Sequence, residues 1–352
     1  MNTILILAIL LLSPIITIDK NDNNLKWFKQ TKPYLLKTEN NNVWLIADEA
    51  VLKSLNDNKI KYNTLYKSDK EYYKEKRAVS NRDGFATYTQ IVNKIDNIVT
   101  NNPLIATKEI IGYTEEGRII WALVLNKNSN KPKYRIAGSI HGDELMPSFF
   151  IYNLIDYIFN NLTDSDISAI INNTEIWFIP VINVDGMENI DRMNSNNVDL
   201  NRNFGFFFED VSYAGNTSFS QAETKALRDN TLNENFAISF SMHTYGDYIN
   251  YVWNFSPDDV SDLNEVLFIS DIYESFTNYT VTEGFDWYQT TGDLNDYSYG
   301  TIGDLDWTIE MDDYDNQNKT LFNNNKSALI SILKTHNQGI EGFVYDENNQ
   351  PL

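Results

Sequence analysis

From residue 85 onward, the chain alternates between two patterns of apolar residues. One pattern, with apolar residues three or four positions apart, predicts helices at 88–99 and in the segment that contains Phe150, Leu154 and Ile158. The other pattern, short apolar runs rich in Ile, Val and Trp, predicts strands. These runs lie at 109–113, 118–125, 134–140, 176–182, 236–242 and 305–309. Strands that alternate with helices are typical of an α/β fold with a mixed sheet flanked by helices.

Residues 27–73 carry a shorter pattern that predicts a small unit ahead of the main domain. The apolar runs at 43–47 and 59–66 predict strands, and the residues between them predict a helix that Asp48 caps. This order of elements predicts a small βαβ unit. The charged stretch 67–82 that follows is typical of a solvated linker. The unit is either an inhibitory pro-segment or a permanent accessory domain, and its residues favour neither.

The first 20 residues contain an apolar run from Ile4 to Ile18. A run of this length is typical of a secretory signal peptide and is short for a membrane span. No Lys or Arg precedes it and no small-x-small cleavage site follows it, so an uncleaved N-terminal anchor is the alternative. We therefore expect a secreted or extracytoplasmic protein, with residues 1–20 as leader or anchor. We expect no stable membrane partner beyond such an anchor.

The composition narrows the functional classes. The chain has 352 residues, of which 42% are hydrophobic, enough for a large packed core. Its formal net charge is −21, which would repel a phosphate backbone and argues against binding of nucleic acid. There is no Cys, which excludes disulfides, thiol nucleophiles and Cys-based zinc sites.

Two of the three histidines lie at the ends of predicted strands. His141 follows the strand at 134–140 and His243 follows the strand at 236–242, while Glu310 follows the strand at 305–309. Ligands bind outside the carboxyl ends of strands in open α/β sheets. We therefore expect these three side chains to share one site. His336, by contrast, is read as a cation near a helix C-terminus.

The spacing between His141 and Glu144 suits a metal site. Neutral imidazole and carboxylate are the ligand types of a catalytic zinc site, which keeps one position open for water. The pair alone is compatible with an ordinary surface His and a Glu in the first turn of a helix. His243, on another strand end, supplies a third ligand and favours a metal.

Distinctive motifs lie between and around these residues, at 112–121, 183–186, 192–204, 243–254 and 288–310. Together they resemble the zinc carboxypeptidase family, and most closely its regulatory branch. In that branch, the carboxypeptidase N/E/D-like group, a transthyretin-like β-sandwich follows the catalytic domain. The resemblance covers residues 85–336 and implies a mainly parallel, eight-stranded mixed sheet flanked by helices. Residues 339–352 resemble the first strand of this β-sandwich. Either the sandwich is cut short in this chain, or residues 339–352 form a tail that pairs with the catalytic domain.

The resemblance implies one Zn²⁺ per chain, with His141, Glu144 and His243 as ligands. Asp199 matches the acid that orients the first histidine. Glu310 matches the general base of the family. Arg192 matches the arginine that polarises the scissile carbonyl; a surface arginine is the alternative.

Further matches concern the substrate, a peptide or protein C-terminus. Asn201 and Arg202 match the pair that binds the terminal carboxylate, and Tyr288 matches the tyrosine that closes over the chain end. Asn254 and Asn295 match positions that select the side chain of the substrate's last residue. At the position of Asn254, the regulatory branch has an acid that selects a C-terminal Arg or Lys. With Asn250 nearby, this pocket is predicted to be polar and neutral, although Asp247 or Asp293 would add a charge. We expect a preference for polar or mildly basic C-terminal residues.

The leading interpretation is therefore a secreted zinc exopeptidase that hydrolyses the C-terminal peptide bond. An amidase or peptidase that acts on peptidoglycan stem peptides fits the same residues. A non-catalytic peptide-binding homologue is the third interpretation, and chelator-sensitive turnover separates it from the first two.

Overall fold

A computed structural model describes most of the chain as two sheets with their helices. The described residues are 13–31, 33–39, 41–68, 71–72, 84–127, 130–287, 289–311 and 319–337. The predicted β-sandwich segment, residues 339–352, and the first 12 residues of the predicted leader lie outside this part of the chain. Tyr288 lies outside it as well.

The N-terminal unit is a four-stranded sheet with the order β2-β3-β1-β4. Its strands are β1 (Ile15–Asp19), β2 (Tyr34–Glu39), β3 (Asn42–Ile46) and β4 (Asn63–Tyr66), and its helices are α1 (Asp22–Thr31) and α2 (Glu49–Asp57). The predicted strand–helix–strand order is confirmed in β3, α2 and β4. As predicted, Asp48 caps α2, accepting a hydrogen bond of 2.8 Å from the N–H of Val51.

The unit begins earlier than predicted, and the assignment of residues 15–19 to a leader is wrong. Strand β1 lies between β3 and β4 and is antiparallel to both, so the sheet is not a simple βαβ unit. Ile15, Ile16 and Ile18 are buried in it. The apolar run has this ambiguity because a signal peptide and an internal strand use the same residue types.

The main domain is built on an eight-stranded mixed sheet with the order β11-β10-β12-β9-β7-β8-β6-β5. The strands are β5 (Ala106–Tyr113), β6 (Ile119–Leu125), β7 (Lys133–Gly138), β8 (Glu175–Ile179), β9 (Ile238–Thr244), β10 (Tyr248–Tyr251), β11 (Thr280–Glu283) and β12 (Leu305–Met311). The four central strands, β12, β9, β7 and β8, are parallel, and β6 and β5 form an antiparallel hairpin. The predicted fold class is confirmed.

Helices cover both faces of this sheet. They are α3 (Tyr88–Asn101), α4 (Leu145–Asn160), α5 (Ser165–Asn173), α6 (Val184–Asn189), α7 (Ala222–Glu234), α8 (Leu263–Thr277), α9 (Gly284–Trp287), α10 (Leu294–Ile302) and α11 (Lys319–Leu333), with 3₁₀ turns at 200–202 and 334–337. Alternate residues of β6 enter different apolar clusters: Leu123 belongs to one and Val124 to the other. Such a sheet is buried on both sides. Within the described part of the chain, none of these helices has the length and apolar character needed to cross a bilayer.

The strand ends bring the chemistry together. In the parallel pair of β12 and β9, Glu310 is in register with His243. Both residues are the last but one of their strands rather than the residues after them. His141 follows β7 by three positions, so all three side chains belong to one edge of the sheet.

A buried charged cluster connects these strands near their N-terminal ends. Arg135 of β7 lies 3.3 Å from Asp304 and 2.9 Å from Asp306 at its Nη2. Ser239 of β9 donates a 2.7 Å hydrogen bond to Asp304. All four side chains are buried. The cluster therefore joins β9 and β12, which contain His243 and Glu310, to β7, which leads to His141.

Candidate metal centre and substrate cavity

A tight turn after β7 directs His141 and Glu144 toward the edge of the sheet. Ser139 adopts a left-handed φ of 50°, which a non-glycine residue holds only when its surroundings impose it. A Cβ at Gly142 would lie 2.1 Å from the backbone carbonyl carbon of Gly186. Because only glycine permits this approach, the turn packs directly against the start of α6.

The predicted ligands meet at this point. One ligand atom from each of His141, Glu144 and His243 lies within 4.8 Å of the others. Glu144 stands between the two imidazoles, with Oε1 2.7 Å from Nδ1 of His141 and Oε2 3.2 Å from Nδ1 of His243. The backbone N–H of Thr244 also donates to Oε2, at 3.1 Å. The three side chains are buried, and their donor set is the one that catalytic zinc sites use.

The electrostatics of the centre favour a cation. Burial alone would raise the pKa of Glu144, but His141 and His243 hold it well below its usual value. Burial and Arg192 lower the pKa of His141, yet Glu144 and Asp199 outweigh them and raise it. Negative charge is therefore fixed at a buried point where positive charge is stabilised, and a divalent cation fits such a point.

Asp199 is placed to orient His141. Its Oδ1 lies 3.2 Å from Nε2 of His141 and accepts a 3.0 Å hydrogen bond from the N–H of Asn201. Arg192 and His141 overcome the effect of burial and hold the pKa of Asp199 well below its usual value. A carboxylate on the far ring nitrogen leaves Nδ1 facing Glu144 and the centre.

Arg192 is part of the centre and not a surface residue. Only 7% of it is exposed, and it lies 3.4 Å from Oε1 of Glu144 and 3.2 Å from Oδ2 of Asp199. Its guanidinium thus places a fixed positive charge beside the three candidate ligands.

The three candidate ligands line a cavity, and Glu310 of β12 lines it with them. Burial raises its pKa to about 8; Glu144 adds to this effect, while His243, Arg192 and Arg202 oppose it. A carboxyl group with such a pKa both accepts and donates a proton near neutral pH.

Asn201 and Arg202 belong to the 3₁₀ turn at 200–202, and both line the cavity. Arg202 Nη1 lies 2.7 Å from Oδ1 of Asp293 and 2.6 Å from the carbonyl oxygen of Asn201. The side chain of Asn201 accepts a 3.0 Å hydrogen bond from the N–H of Leu294. Asp293 therefore positions Arg202, a role that the sequence gives no sign of.

The predicted selectivity residues also line the cavity. Asn250, Asn254 and Asn295 are buried there, and Asn254 donates a 2.7 Å hydrogen bond to Asn295. Of the two acids considered, Asp293 is paired with Arg202, and Asp247 is exposed and does not line the cavity. His336 lies in the 3₁₀ turn at 334–337 and is not among the residues that line the cavity.

The cavity contains further residues that sequence reasoning missed. They are Leu35, Thr244, Tyr245, Trp287, Thr290 and Thr308. Thr308 was open to prediction, because it shares a face of β12 with Glu310. Leu35 was not, since it belongs to the N-terminal unit.

Comparison with known proteins agrees with this geometry. The family profile described as "Zinc carboxypeptidase" matches residues 91–338, more than half of the chain. Among curated relatives, carboxypeptidase M of Mus musculus is 26% identical over 301 residues, covering 73% of this chain and 67% of the relative. Carboxypeptidase D of Homo sapiens is 27% identical over 279 residues, covering 67% of this chain and 20% of the relative. These relatives are in line with the resemblance to the regulatory branch.

Solved structures confirm the fold. Carboxypeptidase A from Helicoverpa armigera superposes with a TM-score of 0.75 at 18% identity, covering 95% of this chain and 100% of that one. Thrombin activatable fibrinolysis inhibitor gives a TM-score of 0.68 at 18% identity, covering 93% of this chain and 98% of that one.

Proposed function

The chain belongs to the zinc carboxypeptidase family, and from that premise we propose that it hydrolyses the C-terminal bond of peptides with one zinc ion held by His141, Glu144 and His243. The observation that carries the proposal is the shared cavity: the candidate ligands, a buried carboxyl group and two buried arginines all line it. A divalent ion in this position would supply a Lewis acid that polarises a carbonyl and lowers the pKa of water.

The remaining chemistry belongs to the side chains around the ion. Glu310 accepts a proton from the attacking water at its carboxylate and returns it to the departing amine. Arg192 stabilises the negative charge that develops on the carbonyl oxygen. Asp199 keeps His141 in one tautomer.

Recognition of the chain end rests on Arg202 and Asn201. A guanidinium fork binds a carboxylate through two parallel hydrogen bonds, and Asp293 holds the guanidinium in the cavity. Binding of this kind confines hydrolysis to the last residue. Tyr288, by resemblance to the family, closes over the bound end.

Release of C-terminal amino acids tests the proposal. Zinc-loaded protein is mixed with a short peptide, with and without a chelator, beside the Glu310→Gln variant. We expect release that the chelator abolishes and that the variant loses. Cleavage of peptidoglycan stem peptides with no release from ordinary peptides would favour the amidase function. Peptide binding with no turnover would favour the non-catalytic function.

We also propose that the N-terminal unit restricts access to the cavity. Leu35 is buried between the core of that unit and the cavity that contains the candidate ligands. A protease site engineered between Tyr72 and Gly84, where the two units join, tests this. We expect higher peptidase activity after the cut, whereas an unchanged or lower activity would indicate a permanent accessory unit.

Secretion remains a proposal, with a leader confined to the residues before Ser13. Strand β1 is an internal strand of the N-terminal sheet, so a cleavage after residue 20 would remove its centre. N-terminal sequencing of the protein from the culture medium tests this. A start at or before Ser13 is expected, and a start after Asp19 would contradict it.

A further inference from the structure

The cavity has a wall of side-chain amides whose hydrogen bonds run in one direction. Asn250, Asn254 and Asn295 line it, and each is at most 4% exposed. Behind them lies the buried carboxyl group of Asp296, which accepts hydrogen bonds from the backbone N–H groups of Asn254 and Phe255.

One backbone donor determines the orientation of all three amides. The N–H of Asp296 donates to the side chain of Asn295 at 3.1 Å, so the accepting atom must be the oxygen, Oδ1. The same Oδ1 lies 2.7 Å from the side chain of Asn254, which must therefore present its nitrogen, Nδ2. The oxygen of Asn254 then faces Asn250, whose Nδ2 donates to it at 3.3 Å.

This chain of bonds leaves one donor and one acceptor unused. Nδ2 of Asn295 and Oδ1 of Asn250 are buried and have no hydrogen-bond partner among the described residues. A buried polar atom without a partner costs free energy, so a ligand that pairs both atoms gains affinity. A ligand that pairs both atoms must therefore carry an acceptor for Asn295 and a donor for Asn250.

The arrangement is fixed by packing. A Cβ at Gly284 would lie 1.6 Å from Oδ1 of Asn254, so this amide is held directly against a glycine backbone. Asn254 is further anchored by Asp296, which its Nδ2 approaches to 3.3 Å.

The charge of the pocket argues against a cationic side chain. Burial, together with Asp293, raises the pKa of Asp296 well above its usual value. Asp293 itself is paired with Arg202. A terminal Lys or Arg would thus meet a poorly ionised acid behind the amides, and it has no acceptor for the unpaired donor of Asn295.

We propose that this pocket selects a C-terminal residue with a carboxamide side chain, glutamine or asparagine, whose N–H binds Oδ1 of Asn250 and whose C=O binds Nδ2 of Asn295. This inference rests on the proposed peptidase function and adds its substrate class. A carboxylate of the same shape, as in glutamate, supplies no donor to Asn250. An aliphatic side chain leaves both polar atoms unpaired.

The test uses zinc-loaded protein, intact and cut between Tyr72 and Gly84 with both parts retained. Peptides that differ only in the last residue end in Gln, Asn, Glu, Leu, Lys or Arg. We expect kcat/KM for the Gln or Asn peptide to exceed the values for the other four by about tenfold or more. Equal or faster release of Leu, Lys or Arg would overturn the carboxamide preference while leaving the peptidase function in place.

A binding measurement keeps the two proposals separable. Calorimetry with the Glu310→Gln variant compares the dissociation constants of the Gln and Glu peptides. If no peptide is hydrolysed by the unmodified protein, the peptidase function fails, and the carboxamide pocket then stands or falls on this ratio. We expect about tenfold tighter binding of the Gln peptide, and a ratio near one would overturn the inference.

Two variants test the direction of the bonds. Asn295→Asp keeps the oxygen that pairs with Asn254 and replaces the unused donor by an acceptor. It should lose the preference for Gln and gain release of Lys, whereas Asn97→Asp, the same change on an exposed helix position, should alter neither. Asn250→Leu removes the acceptor together with the Nδ2 group that donates to Asn254, and it should lower kcat/KM for the Gln peptide about tenfold more than for the Leu peptide. An unchanged Gln-to-Leu ratio in both variants would overturn the inference.

Discussion

Glu310 of β12 stands in register with His243 of β9 across a parallel strand pair, so a candidate base and a candidate metal ligand share one rung of the sheet. The next strand, β7, leads into the turn that carries His141 and Glu144. The side chains of the site come from the ends of β9 and β12 and from the turn after β7.

Loss of the carboxyl group of Glu310 should affect turnover and not metal binding. We expect Glu310→Gln to lower kcat by about 10²- to 10⁴-fold, because the amide transfers no proton. Zinc content, measured by mass spectrometry, should be that of the unmodified protein. A variant that turns over peptides at the normal rate would exclude Glu310 as the base.

Removal of the metal should lower the stability of the fold. Binding to the folded state alone adds about 4 kcal/mol at a free concentration about 1,000 times the dissociation constant. We expect a chelator to lower the melting temperature of the unmodified protein and to leave that of Glu144→Gln unchanged. A chelator effect of equal size in both proteins would contradict the assigned ligand.

The pairing of Arg202 with Asp293 predicts a specific rescue. Arg202→Met should raise KM for peptides, and it should lower the free energy of unfolding by about 3–5 kcal/mol because the buried carboxylate of Asp293 loses the guanidinium and keeps the hydrogen bond from Thr290. The double variant with Asp293→Asn should regain stability but not KM. Urea denaturation and steady-state kinetics measure the two effects, and recovery of KM would show that Arg202 does not bind the substrate.

The cluster around Arg135 predicts a pH dependence of stability. Burial raises the pKa of Asp304 from 3.8 to about 7, and Asp306 adds to this effect while Arg135 opposes it. Between these two pKa values the folded state binds more protons than the unfolded state. The contribution of Asp304 to the free energy of unfolding is therefore complete below the unfolded pKa, and it is lost as the pH rises through about 7. A tenfold difference in proton affinity between the folded and unfolded states corresponds to about 1.4 kcal/mol of stability.

Asp304→Asn should remove most of this dependence. Between about pH 5 and about pH 8, we expect its unfolding free energy in urea to fall less than that of the unmodified protein. Asp57→Asn, a change at an exposed helix position, serves as the control and should follow the unmodified protein. Parallel curves for all three proteins would show that Asp304 does not titrate in the folded state.

Much of the fold and the site was predictable because each strand end carries its own signal. The apolar runs before His141, His243 and Glu310 predict three strands. Because parallel strands have their carboxyl ends at the same edge of a sheet, these residues are expected to lie together. The β1 segment was misassigned because its Ile-rich sequence suits a leader equally well. Only packing against β3 and β4 reveals the difference.

What could not be predicted depends on contacts between distant segments. Leu35 reaches the cavity from another unit, and Asp293 meets Arg202 only once α10 is docked. The direction of the amide chain depends on one backbone N–H, that of Asp296. Spacing along the sequence carries no information of this kind.

The position of the metal can be measured by anomalous X-ray diffraction at the zinc edge, from crystals of the purified protein supplied with zinc. We expect one strong peak per chain, in contact with His141, Glu144 and His243. A map with no peak between these three side chains would contradict the assignment of the metal centre and, with it, the proposed peptidase.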